Sequence, residues 1–191
     1  MLFFASYFDE FTADYKKIFS LRSFGILIAP LVLFIINGLL SSNAKAVLVF
    51  WRLHEPLPGA RAFTKHGPAD PRVSMAKLQS LHKQLPTTAK DQNVLWYSIY
   101  KKHLKDVAVM KSHQDFLLGR DITAIAFLLI WFAGIPLLFL GTPPIKWLYF
   151  GGLIVQYIVF AVVAQNHGKR FVTNVLATES SMEVKKAKVK K

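Results

Sequence analysis

Three long apolar runs, set apart by segments dense in charge, dominate the chain. They extend from Phe24 to Leu40, from Ile122 to Gly141 and from Trp147 to Ala164, and none contains Asp, Glu, Lys or Arg. A soluble domain interleaves apolar and polar residues because each helix or strand needs one wet face. Segregation on this scale fits a bilayer instead. At 1.5 Å per residue the first run makes about 26 Å of helix and the second about 30 Å, against a hydrocarbon core of about 30 Å. Leu21 to Ser23 and Ser41 to Ser42 can complete the first span. Pro30 and Pro136 each remove one intrahelical hydrogen bond, which predicts bends there. Only Thr142 to Lys146 separates the second run from the third, so these two are expected to form an antiparallel helical hairpin.

The first run is read as a retained helix, not a cleaved signal peptide. It is longer than the usual apolar core of such a peptide, and the residues before it are not a basic leader. That N-terminal arm, residues 1–23, places Phe4, Phe8, Phe11 and Tyr15 at helical spacing, as an interfacial amphipathic helix would.

Between the first and second runs, residues 42–121 alternate helical patterns with Pro/Gly punctuation. Ala44 to Leu53 is expected to extend the first helix past the interface, with Trp51 and Arg52 at its end. Glu55 to Gly59 and His66 to Pro71 mark irregular chain. Asp70-Pro71 reads as an N-cap followed by proline at the first helical position. Met75, Leu78, Leu81 and Leu85 would form the apolar stripe of the helix that follows, stopped by Pro86. Thr88 to Asp91 resembles a capping box for a second helix, with Trp96, Tyr100, Leu104 and Val107 on one face. From Asp106 the pattern stays helical into the second span, with Gly119 as its weak point. After the third run, the chain from Gln165 can continue that helix before a basic stretch, Lys185 to Lys191, expected to be disordered and to face headgroups. The fold class predicted is all-α: three transmembrane helices (24–41, 122–141, 147–164), a small helical subdomain between the first two, and a basic tail over 165–191.

Charge adds orientation. The chain has 24 Lys and Arg against 11 Asp and Glu, a formal net charge of +13. All the basic residues except Lys16, Lys17, Arg22 and Lys146 fall in the loop or the tail. Three spans put loop and tail on one side, so the positive-inside rule predicts both in the cytoplasm, with the N-terminus outside a cell (inner) membrane. In a membrane protein such a charge balance fits anionic lipid headgroups, and no zinc-finger spacing, arginine-rich run or RNA-binding signature points to a specific nucleic acid.

Candidate chemistry is sparse. The chain has no cysteine, which removes disulfides, thiol catalysis and cysteine-bound metals. No pair among His54, His66, His82, His103 and His113 has the i, i+4 spacing of a helical metal site, so no metal and no cofactor are expected. Phosphate-binding and nucleophile-elbow motifs are absent as well. Trp51, Arg52, Arg61, Lys65, His66 and Arg72 gather guanidiniums and aromatics beside proline-fixed turns, a set suited to an anionic ligand or to a soluble partner. Trp96 and Tyr100 would join them from the following helix, in a cluster with Gln92 and Asn93. Within the spans, Asn37 and Gln156 are the strongly polar side chains, and Gly25 and Gly152 allow close helix approach. In hydrocarbon an amide favours a protein neighbour, which predicts a homo-oligomer or a larger membrane complex.

Three functions follow as expectations. The first is a non-enzymatic membrane module whose loop binds a partner or anionic ligand and whose helices oligomerise or dock. The second is a membrane-permeabilising effector, such as those of bacterial antiphage defence, in which the loop senses a signal and the spans rearrange. The third is an interfacial enzyme on lipid or lipid-linked phosphate, with His113, Asp115 or Asp121 in its chemistry.

Overall fold

A computed structural model describes residues 21–189, so the predicted arm with Phe4, Phe8, Phe11 and Tyr15 lies outside the described residues. The architecture is all-α, with no strand among the described residues. The chain divides into two units after Leu40.

The first unit contributes α1, Leu21–Leu39, whose backbone stays helical through Pro30. Gly25 lies on its first turns. Asn37 is buried near its end, and its side-chain oxygen has no hydrogen-bond partner among the described residues.

The second unit opens with α2, Ser42–Phe50. This is a new helix and not an extension of the one before it. Ser41 is its N-cap, with the hydroxyl accepting from the Ala44 N–H at 3.1 Å. A serine that satisfies the first free amides of a helix ends any continuous run through it. A compact segment follows, with a 3₁₀ turn at Pro58–Arg61, a wide turn at Ala62–His66 and a helical turn at Gly67–Ala69. Next come α3, Met75–His82, and α4, Ala89–Lys102. The start of α3 differs from the Asp70-Pro71 expectation. Its N-cap is Ser74, which accepts from Lys77 N–H, while the Asp70 carboxylate is taken up by Arg72. The Thr88 cap of α4 is as expected, with its hydroxyl accepting from Asp91 N–H at 3.3 Å. But α4 ends at Lys102, and a turn from His103 to Asp106 intervenes. Leu104 and Val107 are therefore exposed instead of continuing the face of Trp96 and Tyr100.

Asp106 caps α5, Val107–Leu140, by accepting from the Ala108 and Val109 N–H groups. Its backbone widens over Ile130–Gly134, where the Ile135 N–H reaches the Ile130 carbonyl. This register shift lies directly before Pro136, whose ring would clash in a regular helical turn, and it accommodates the proline. The last element, α6, Ile145–Val189, is one helix of 45 residues. It carries the third apolar run, continues through Gln165 and stays helical into the stretch expected to be disordered. Both α5 and the Ile145–Ser181 part of α6 are long and apolar enough to cross a membrane, whereas Pro30–Leu39 and Ser42–Phe50 meet that test only when counted together.

Two contacts mark where the apolar part of the hairpin ends. A side chain at Gly119 of α5 would meet the Ala164 Cα of α6 at 3.2 Å, so the helices approach closely at that level. Two residues nearer the α5 apolar run, Asp121 is reached by buried Lys45 of α2 at 3.0 Å, and Arg120 shares the same carboxylate oxygen. Past this level, the extension of α6 becomes the spine of the helical subdomain. Phe171 packs edge-on against Trp96 at 5.0 Å and Tyr100 at 5.1 Å, and stacks on His113 at 4.9 Å. Val172, Val175 and Leu176 complete the buried core with Leu78, Ile99 and Val109. Each such side chain contributes about 1.5–3 kcal/mol by leaving water, so the subdomain draws its stability from a helix that also enters the apolar layer.

Candidate functional site

The segment before α3 is positioned by one buried amide. Gln92 of α4 offers its oxygen to the Phe63 N–H at 3.1 Å and to the Thr64 N–H and hydroxyl at 3.2 Å each. Its nitrogen donates to the Thr87 carbonyl at 2.8 Å. With both amide heavy atoms hydrogen-bonded and the residue 2% exposed, it pins the turn that ends in Lys65 and His66. Gly67 lies against the Ala62 carbonyl, Met75 and Leu176, leaving no room for a side chain. This packing seats His66 beside the extended α6.

Between that turn and α6 opens a groove of about 480 Å³, lined by His66, Ala69, Asp70, Pro71 and Arg72 on one wall and by Lys169, Arg170 and Thr173 on the other. Arg72 is braced at this lining by two neighbours. Its guanidinium forks onto Asp70, with Nε to Oδ1 at 3.0 Å and Nη2 to Oδ2 at 2.7 Å, and Nη2 also reaches the Thr173 hydroxyl at 3.3 Å. This fork keeps the Asp70 carboxyl well below the usual carboxylate range and raises Arg72. Asp70 is the one carboxylate in the lining and is consumed by Arg72. Lys169 and Arg170 are exposed, and neither has a carboxylate within ion-pair distance among the described residues.

His66 reports the resulting field. Burial, followed by the charges of Lys65, Lys169, Arg52 and Arg61, pushes its pKa down to about 4. It is therefore a neutral imidazole near pH 7, able to donate one hydrogen bond and accept another. Arg52 is lowered by burial and by the neighbouring charge of Arg61. Thus Arg52, Arg61 and Lys65 do not line the groove, yet they surround His66 with positive charge.

The remaining candidates lie elsewhere. The Trp51 indole donates to the Tyr157 hydroxyl at 3.0 Å, on the apolar part of α6. Trp96 and Tyr100 belong to the core around Phe171, and Tyr100 meets His113 Nδ1 at 3.1 Å. Asp115 pairs with Lys111 and Asp121 with Lys45, so His113, Asp115 and Asp121 each engage a different partner. Gln156 and Gly152 are exposed on α6, with open space where a Gly152 side chain would go.

Sequence reasoning passed over two groups. Lys169 and Arg170 looked like part of a basic tail. Their helical phase relative to Phe171, a strongly buried aromatic one residue on, was the available signal. Glu179 is the other. Its carboxylate, 10% exposed, joins His82 at 3.1 Å, buried His103, and Lys102 at 3.4 Å. It ties the far end of α6 to α3 and α4, and nothing local to residues 177–181 announces it. Among the described residues no group of three His, Asp or Glu side chains is arranged to hold a metal ion. Comparison with protein-family models, curated proteins and solved structures finds no match to this chain.

Proposed function

We propose that the protein is a non-enzymatic membrane module that captures a phosphate-bearing anion in the groove between the Ala69–Arg72 turn and α6. One observation carries this reading: Lys169 and Arg170 converge on a single groove whose one carboxylate, Asp70, is already paired with Arg72. Guanidinium and ammonium donors on neutral surroundings recognise phosphate oxygens through charge-assisted hydrogen bonds. Neutral His66, in the same lining, adds a ring N–H that brings no further charge.

The distribution of Lys and Arg supports a cytoplasmic groove and C-terminus, with the opposite end of the first span outside. Gln156, an exposed amide within the apolar run, supports association of the spans with a second copy or a larger complex.

Calorimetric titration of the detergent-purified, full-length protein with inorganic pyrophosphate tests the groove. Wild type is expected to bind, and Lys169→Gln with Arg170→Gln to weaken binding roughly tenfold, as befits the loss of two charged donors. Equal binding by both proteins would refute the assignment.

A further inference from the structure

The groove lies at a specific depth. The third apolar run ends at Ala164, and the same level is marked on α5 by Gly119, which lies against the Ala164 backbone. Lys169 and Arg170 follow five and six residues later on the same unbroken helix. At 1.5 Å per residue they stand about 8–9 Å beyond the apolar layer. A headgroup layer extends about 5–8 Å beyond the hydrocarbon on each side, so these backbone positions stand at its outer edge, and their long side chains, tilted toward the helix N-terminus, reach back to the lipid phosphates. Lys45, Arg120 and Asp121, gathered where the α5 apolar run begins, place the boundary independently of α6.

From this depth and from the two cations without an ion-pair partner among the described residues, Lys169 and Arg170, we propose that the groove takes the headgroup of a membrane lipid ending in a phosphomonoester. The inference rests on the anion-binding reading above and names the ligand class. A terminal phosphomonoester presents up to two negative charges and three oxygens to Lys169, Arg170 and the Asp70-braced Arg72. A phosphodiester with choline or ethanolamine would bring its own cation into a site whose surroundings already include Arg52, Arg61 and Lys65. Such like-charge contact disfavours zwitterionic lipids. The groove is also sized for a headgroup: its volume of about 480 Å³ holds a phosphate with a small substituent, while the acyl chains stay in the apolar layer.

The test uses the full chain in phosphatidylcholine nanodiscs, with and without dioleoyl phosphatidate, and reads lipid retention by native mass spectrometry and the thermal midpoint. Phosphatidate is expected to be retained and to raise the midpoint, whereas phosphatidylcholine alone does neither. Lys169→Gln with Arg170→Gln should reduce retention roughly tenfold, while Lys90→Gln with Lys105→Gln, outside the groove, should leave it unchanged. An equal loss in both double variants would mean general charge attraction and would overturn the proposal. Equal retention of phosphatidylglycerol, a diester, would overturn the phosphomonoester preference. Binding of pyrophosphate without selective phosphatidate retention would overturn the lipid ligand and leave the anion groove standing, whereas failure of both would overturn the two together.

Discussion

Trp51 and Tyr157, 106 residues apart, are joined by a hydrogen bond in which the indole Nε1 donates to the phenol oxygen at 3.0 Å. The same phenol donates to the Leu48 carbonyl at 2.8 Å, and Gln165 Nε2 donates to the Val49 carbonyl at 2.7 Å. The end of α2 is thereby fastened to α6 through carbonyls that a short helix leaves free at its C-terminus.

Tyr157→Phe keeps the ring and removes the oxygen that serves both bonds. Each net hydrogen bond contributes about 1 kcal/mol, and buried orphans cost more, so a loss of roughly 1–3 kcal/mol is expected. Thermal unfolding in detergent measures it, and an unchanged midpoint would show that the pair does not hold α2.

Gln92→Leu conserves approximate volume and leaves the Phe63 and Thr64 amides without their acceptor. A destabilisation of about 2–3 kcal/mol is expected, together with weaker pyrophosphate binding, because the turn bearing His66 loses its anchor. Hydrogen exchange at residues 62–66 should accelerate. Wild-type protection there would contradict the role assigned to Gln92.

Glu179→Ala leaves buried His103 and nearly buried His82 without their shared acceptor. Breaking a buried charged cluster costs about 3–5 kcal/mol, and the figure here belongs at the lower end because Lys102 is half-exposed. Proteolysis near residues 175–181 should become faster than in wild type. If the variant resists protease equally, the cluster does not dock the end of α6.

His66 makes stability depend on acid. Its pKa is about 4 in the folded protein against 6.5 for the free side chain. Between these values the unfolded chain binds more protons, so stability is fully present above about pH 6.5 and falls as pH drops toward 4. At full effect the loss is on the order of 3 kcal/mol. His66→Gln should flatten the dependence of the thermal midpoint on pH over this window. A slope identical to that of wild type would place its origin elsewhere.

Gly168→Ala puts a methyl group 2.8 Å from Phe50 Cζ and 3.1 Å from Phe116 Cε2. Both are ring atoms of side chains packed against each other at 6.2 Å, so they cannot swing aside freely. Overpacking of about 1–3 kcal/mol is expected, read as a lower unfolding midpoint. Gly151→Ala, where a side chain meets open space within the chain, serves as the control.

The apolar runs, the tight hairpin and the Thr88 helix start were legible from residue order, whereas the Asp106 cap and the turn before it were not, since Leu104 and Val107 fit the helical face of Trp96 and Tyr100. Partition into lipid and helix capping depend on residues close together in the chain. The same local logic misplaced the start of α3, because Asp70 had two competing uses and pairing with Arg72, two residues on, prevailed over capping. It also ran α2 into the preceding helix, although the Ser41 cap separates them. The groove and the Glu179 cluster were decided by tertiary structure. Both depend on α6 continuing past the apolar layer as one rigid helix, which brings residues 169–179 beside turns formed about a hundred positions earlier. Contacts so distant in sequence leave no periodicity to read, since it is the packing around Phe171 that selects which basic and acidic side chains meet.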